Sequence, residues 1–402
     1  MITIHTPQLV ENEKSRLQTI IEVDGQTKTV WFEVDKKYGK YLCYERCDAF
    51  LLGLLHYAIC NDHDIRCLSP LSEDLYYQID TYIINALNKG NKQFFRKIKI
   101  FADIEPNVEN AGAVGTGISC GIDSLHTITN HTDIKFKHHN ITHLTLFNVG
   151  IYDEGVKAEE LFKKRVERAE VFCSEYNFEF IKVDSNFMAE FIQDNLLVHT
   201  YRDCSFVLAL QKLFAYYYYS SGYTFFEFSI NNIEKDSALY DLFLLDMFSS
   251  SKLKFYSEGA TKSRIEKTAV VADYKPSYKY LNVCNEESEN CGKCEKCIRT
   301  MLILEMIGKL ENYKEVFDIQ NFKNNRVNVL RTIYREHLYN NLSYKEIYPF
   351  YHKEISLKIK LYELVKKRGR ISYNYLSNSK IGIPIIRFYQ KHIKKNHSKN
   401  HL

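Results

Sequence analysis

The sequence contains no G-x-x-x-x-G-K-[ST] stretch, which excludes a Walker-type nucleotide site. It has no run long and apolar enough to cross a membrane. The most apolar region, residues 206–230, is interrupted by Gln211, Lys212, Gly222 and Glu227. Residues Met1 to His5 show no basic segment followed by an apolar core, so no signal peptide and a cytoplasmic location are expected. A strong charge bias is also missing. The net charge of +4 is too small to argue for nucleic-acid binding, and neither nucleic acid nor a membrane is an expected partner. Ala, Gly and Pro are outnumbered by Lys, Asn, Ile, Tyr and Phe, a codon bias from which no function follows. Internal repeats and long low-complexity linkers are absent as well.

With 402 residues the chain has room for two or three compact domains. Three are expected: an N-terminal α+β unit over 1–108, an α/β domain over 109–310 and a helical region over 311–402. In the first, strand-like runs 17–23 and 27–34 meet at Asp24-Gly25, a hairpin signal. Apolar helices are expected over 49–59 and 75–87, and a strand over 95–101. From residue 113 strands and helices alternate. Strands are expected at 113–118, 143–149, 178–183, 224–230 and 253–256. Helices are expected from 125, over 154–176 and over 205–219. This pattern predicts an α/β fold with a doubly wound parallel sheet.

Between the strand at 113 and the helix from 125 lies Gly115-Thr116-Gly117-Ile118-Ser119-Cys120-Gly121-Ile122-Asp123-Ser124. A loop there aims backbone N–H groups and the positive end of a helix dipole at one point, which suits phosphate. Gly121 permits close approach, and Ser119 and Ser124 supply hydroxyls. Asp123 beside phosphate implies an intervening Mg²⁺. The bland alternative is a helix N-cap without a ligand. Downstream, Cys284-(x6)-Cys291-(x2)-Cys294-(x2)-Cys297 brings four thiols into one short loop that turns at Gly292. Four thiolates suit a closed structural Zn²⁺ site, with an iron–sulfur cluster as the competitor. The other seven cysteines are scattered and read as small buried apolar residues.

The loop S-C-G-I-D-S at Ser119–Ser124 resembles the S-G-G-x-D-S loop of the PP-loop ATP pyrophosphatase superfamily, with Cys120 in place of the first glycine. Together with the cysteine loop, the pattern is similar to 7-cyano-7-deazaguanine synthase-like proteins over roughly residues 113–307. The resemblance implies an adenine nucleotide alpha hydrolase-like domain that binds ATP and Mg²⁺. It also implies cleavage of ATP to AMP and pyrophosphate while a small-molecule carboxylate is adenylated, with ammonia or an amine as the second substrate. Ser119, Cys120, Gly121, Asp123 and Ser124 would hold the phosphates, and Phe147, Asn148 and Val149 the adenine. Arg264 and Lys267, in a segment S-R-I-E-K-T, are candidates to act beside Asp123 and Ser124 in catalysis by neutralising phosphate or the carboxylate; a solvated first helical turn explains them equally. A homodimer is one possible assembly.

Other signals are weaker. Arg202 is a candidate phosphate contact or a capping residue. Asn231, Asn232 and Asp236 are candidates for ribose or substrate. The aromatic run 216–219 reads as core packing at the end of a helix, and the basic tail 391–399 as a solvated terminus. Base adenylation for tRNA thiolation, and a non-catalytic nucleotide-responsive binding protein, remain as alternatives.

Overall fold

The computed structural model describes residues 1–148, 156–191, 193–231 and 235–377. Val149, Asn232 and the tail at 391–399 lie outside them. The chain divides into two compact units, Met1–Cys291 with Asn312–Val316, and Gly292–Glu311 with the residues from Phe317 onward.

The first unit is an α/β structure. In chain order its strands are β1 (Ile2–Ile4), β2 (Gln8–Glu11), β3 (Lys14–Val23), β4 (Gln26–Asp35), β5 (Ile65–Cys67), β6 (Leu71–Ser72) and β7 (Ile100–Phe101). They continue as β8 (Ile104–Glu105), β9 (Ala113–Gly117), β10 (His143–Phe147), β11 (Glu179–Ser185), β12 (Phe214–Ser220) and β13 (Lys254–Glu258). The main sheet runs β13-β12-β9-β10-β11-β4-β3-β1-β5-β7, with β2 paired to β3. The stretch β13-β12-β9-β10-β11 is parallel throughout. Counted from β9 it has the order 3-2-1-4-5, a Rossmann-like arrangement. The chain moves from β9 outward through β10 and β11, then crosses back to the other side of β9 for β12 and β13. That reversal leaves a crevice at the carboxyl ends of β9 and β12, where open α/β sheets bind ligands.

The expected hairpin forms as β3 and β4, pairing Val23 with Gln26 across Asp24 and Gly25. Both turn residues take positive φ, 52° and 75°, as the right-handed strand twist requires of a two-residue turn. The boundary expected near residue 108 does not coincide with a break in the sheet, because β4 joins β11 antiparallel, Glu33 opposite Asp184. One core spans the join. Phe32 of β4 lies 5.3 Å from Phe50 in the helix Asp48–Cys60 and 5.2 Å from Phe206 in the helix Asn195–Ala209.

Three expectations are corrected. The helix expected over 205–219 starts earlier and ends at Ala209, and the aromatic run belongs to β12. Aromatic side chains suit a pleated, half-buried surface, and β12 buries Tyr217 and Tyr218 between β9 and β13. The strand expected over 224–230 is a 3-10 turn, Phe225–Glu227, closed by a capping box in which the Glu227 carboxylate accepts from the Thr224 N–H and hydroxyl. Phe226 in it is 99% exposed, so this apolar stretch is not a core strand. Of the strand expected over 95–101 only Ile100–Phe101 pairs.

The second unit is helical among the described residues, with Glu295–Met306, Ile319–Asn324, Arg326–Leu338, Tyr348–Tyr351 and Leu357–Ser377. Arg326 ties two of its segments, donating to Glu305 and Glu354 at 2.8 Å each.

Gly115 in β9 has no room for a side chain. An added Cβ would lie 2.5 Å from Phe214 and 2.9 Å from Tyr217, both enclosed in the core. Gly115→Ala should therefore destabilise the first unit by about 1–3 kcal/mol, read as a lower urea midpoint. An unchanged midpoint would mean that the β9–β12 contact is looser than described.

Candidate functional site

The loop from β9 enters the helix Ile122–Asn130 at Gly121, whose position gives the first turn no side-chain cap. The first N–H groups of a helix have no partner within it, so this end presents donors and a partial positive charge. The two serines are engaged with the loop itself. The Gly121 N–H donates to Ser119 Oγ, Ser119 Oγ to Ser124 Oγ, and Ser124 Oγ to the Gly121 carbonyl, each at 3.2 Å.

Cys120 has φ +57°, in the left-handed region where glycine is the natural occupant. The departure from the S-G-G-x-D-S pattern therefore falls where the backbone wants glycine. The compensation is burial. The side chain is 2% exposed, and burial pushes the thiol up to about 12. Such a thiol is a poor nucleophile or sulfur carrier. The Cys120 carbonyl accepts from the Asn282 N–H at 2.8 Å, tying the loop to the segment that leads into the cysteine cluster.

Asp123 points to a pair of cations. Its carboxylate accepts from Arg264 Nη1 at 2.8 Å and Lys267 Nζ at 3.1 Å. Burial opposes the charge on Asp123, but Arg264 and Lys267 outweigh it and hold the carboxyl below its usual range. The sequence brings the cations there through a capping box. Ser263 Oγ accepts from the Glu266 N–H, the Glu266 carboxylate accepts from the Ser263 N–H, and the helix Arg264–Asp273 starts with both cations in its first turns. Lys267 is only 2% exposed and also donates to the Ser221 carbonyl at 2.6 Å. Gly259, at φ +86°, makes way for it: a Cβ there would come within 2.9 Å of the lysine stem. The bland reading of a solvated helical turn is thus overturned for Lys267.

A cavity of about 340 Å³ opens at the carboxyl ends of β9, β10 and β12. Its lining includes Ser119, Asp123 and Ser124 from the loop and helix start, Phe147 and Tyr217 to Tyr219 from β10 and β12, and Arg165, Arg202 and Asp203. Of the residues expected to hold a nucleotide, Ser119, Asp123, Ser124 and Phe147 reach this cavity. Arg264 and Lys267 are not in its wall and meet it through Asp123. Asn148 is taken up by the sheet, its N–H donating to the Val183 carbonyl and its side chain to Asp184. Arg202 lines the cavity with its guanidinium paired to Asp203 and Asn195. Asp236 caps a 3-10 turn and accepts from His199 and Tyr223, and is not in the cavity lining. Arg165, in the helix Val156–Glu175, was not singled out by sequence reasoning; on a charged amphipathic helix it reads as one more solvated cation.

The four thiols Cys284, Cys291, Cys294 and Cys297 come together, their Sγ atoms all within 4.8 Å of one another, and could hold a metal ion. Tetrahedral thiolate ligation of zinc at about 2.3 Å puts sulfurs about 3.8 Å apart, so the donor set fits with small adjustment. Gly292 takes φ +69°, the tight turn that this spacing needs.

Comparison with family models, curated proteins and solved structures finds no match for this chain. No described helix is long and apolar enough to cross a membrane.

Asp123→Asn removes the charge that compensates buried Lys267, and should cost about 1–3 kcal/mol at neutral pH, the aspartate being partly exposed. The sign with pH follows from the depressed carboxyl. The wild type holds this increment above the ordinary carboxylate range, about 4, and loses it as the pH falls through the lower folded value. Stability curves of wild type and variant should therefore converge below pH 4. Parallel curves down to pH 2 would contradict the pairing.

Proposed function

We propose that this protein is an ATP-using enzyme of the PP-loop ATP pyrophosphatase type, which adenylates a small-molecule carboxylate and passes it to ammonia or an amine. The observation that carries the reading is the uncapped helix start at Gly121, set at the strand-order reversal and opening into a cavity large enough for part of a nucleotide. In this reading the domain is adenine nucleotide alpha hydrolase-like. The N–H groups at Gly121 to Ser124 and the two serine hydroxyls take the β and γ phosphates as they leave. Phe147 and Tyr217 to Tyr219 offer apolar and aromatic walls for adenine or the acyl group.

Catalysis under this proposal is positioning and charge stabilisation. Asp123 stays ionised because Arg264 and Lys267 flank it, and its carboxylate at the cavity wall would hold Mg²⁺, which would supply charge neutralisation for the phosphates. Arg264, 19% exposed, is the more accessible of the two cations for a phosphate or carboxylate. Lys267, 2% exposed, keeps the aspartate in register. The four cysteines would hold Zn²⁺ as a closed structural site. Thiolation is disfavoured at Cys120, the thiol of the loop itself, since burial keeps that group protonated.

Incubation with ATP, Mg²⁺, ammonia and a panel of carboxylates should release pyrophosphate and AMP. Ser124→Ala should slow release by about 10-fold or more, as loss of a hydrogen bond to a charged group does. Orthophosphate and ADP as products would overturn the reading. Purified protein should carry about one zinc per chain by elemental analysis, falling to background in Cys294→Ser. Iron with visible absorbance would favour a cluster instead.

A further inference from the structure

Two carboxylates line the cavity among the described residues, and cations occupy both. Asp123 is bound to Arg264 and Lys267, and Asp203 accepts from Arg202 Nε at 2.9 Å and Nη2 at 2.8 Å. Taking up a proton would cost either of them an ion pair. The tyrosines of the wall differ in what lies behind them. Tyr217 ends on the Thr145 hydroxyl and Tyr218 on His139, whereas Tyr219 leads to a histidine backed by a carboxylate. The Tyr219 hydroxyl meets His199 Nδ1 at 2.8 Å, and His199 Nε2 meets Asp236 Oδ1 at 3.0 Å.

Each member is fixed by its own element. His199 stands one turn before Asp203 on the helix Asn195–Ala209, and Tyr219 is near the end of β12. Asp236 caps its 3-10 turn by accepting from the Ala238 N–H at 2.9 Å, and also accepts from the Tyr223 hydroxyl at 3.1 Å. Burial opposes the charge on Asp236, but these bonds and the one from His199 outweigh it and hold the carboxyl below its usual range. Asp241 also acts on His199, yet burial pushes its carboxyl up to about 7, so Asp236 carries the standing charge. An ionised carboxylate only accepts. Nε2 therefore bears the proton, and Nδ1 of the neutral ring is left to accept from Tyr219. Burial raises the Tyr219 hydroxyl well above its ordinary value, so it parts with its proton only as another reaches its oxygen.

We propose that Tyr219, His199 and Asp236 form the relay that takes the proton from the nitrogen nucleophile, ammonia or a primary amine, at the Tyr219 side of the cavity. This rests on the adenylating reading of the site. As the nitrogen lone pair attacks the acyl carbon, the C–N bond forms and the C–O bond to the phosphate of AMP breaks, AMP leaving with that electron pair. The surplus proton on nitrogen goes to Tyr219 Oη while that hydroxyl passes its own to His199 Nδ1. Asp236 then faces the imidazolium. Tyr219 is the catalytic residue of this step, and His199 and Asp236 are positioning residues that act through it.

Two nucleophiles separate a relay from a packing role. Hydroxylamine nitrogen is far less basic than ammonia, so after attack it sheds its proton to water without help. ATP, Mg²⁺ and the carboxylate giving the fastest pyrophosphate release are supplied with one or the other. His199→Gln should lower the ratio of ammonia product to hydroxamate by about 100-fold, a common contribution of a general base. Tyr219→Phe should lower it as far, and Asp236→Asn by less, since an amide oxygen still orients the ring. Lost packing slows both nucleophiles alike, so an unchanged ratio in His199→Gln or Tyr219→Phe overturns the relay. Nitrogen NMR in mildly alkaline buffer, with the His199 signals assigned by their loss in His199→Gln, should place the proton on Nε2. A proton on Nδ1 overturns the relay without any substrate. A wild type that releases no pyrophosphate and forms no hydroxamate with any carboxylate of the panel sinks the underlying reading of the site instead.

Discussion

The buried ammonium of Lys267 is the constraint around which the site is arranged. A charge with 2% exposure is costly unless a counter-charge meets it, and Asp123 is that counter-charge. Meeting it fixes the first turn of one helix against the first turn of another, with Arg264 as a second clasp. The loop before Asp123 then has little freedom. Its exit is set by the ion pair, and its entry by β9, where the Ile118 N–H bonds the Thr145 carbonyl of the neighbouring strand. Gly259, Ser263 and Glu266 all serve this contact, by leaving space for the lysine and by starting its helix at the right residue.

The strand-order reversal supplies the second ingredient. Because β10 and β12 lie on opposite sides of β9, the helices that follow diverge and leave the crevice open. A site there inherits an uncapped helix start, hydroxyls already in position, and aromatic walls from β10 and β12. These features explain how an anion with an apolar neighbour would be held.

Much of this was legible in the sequence wherever the signal is local. The Asp24-Gly25 turn, the β9–loop–helix unit and the four-cysteine spacing each announce themselves within a few residues, because turn chemistry and thiol spacing act at short range. The aromatic run at 216–219 was misplaced because an apolar, aromatic stretch reads as buried in either geometry, and no glycine or proline marks the helix end before Phe214. Residues 224–230 failed for the opposite reason: three phenylalanines imply a strand, yet Thr224 and Glu227 close a turn around them. Arg165 and the burial of Lys267 depend on how distant segments meet, and neither composition nor period reports that. The join of β4 to β11, which runs the N-terminal strands into the same sheet, is of the same kind.

The most direct test of the central claim is a crystal structure with Mg²⁺ and a nonhydrolysable ATP analogue. The account predicts the β and γ phosphates against the N–H groups of Gly121 to Ser124, with the base toward Phe147 and the tyrosines of β12. A nucleotide bound elsewhere on the chain, with the loop still closed on its own serines, would contradict it.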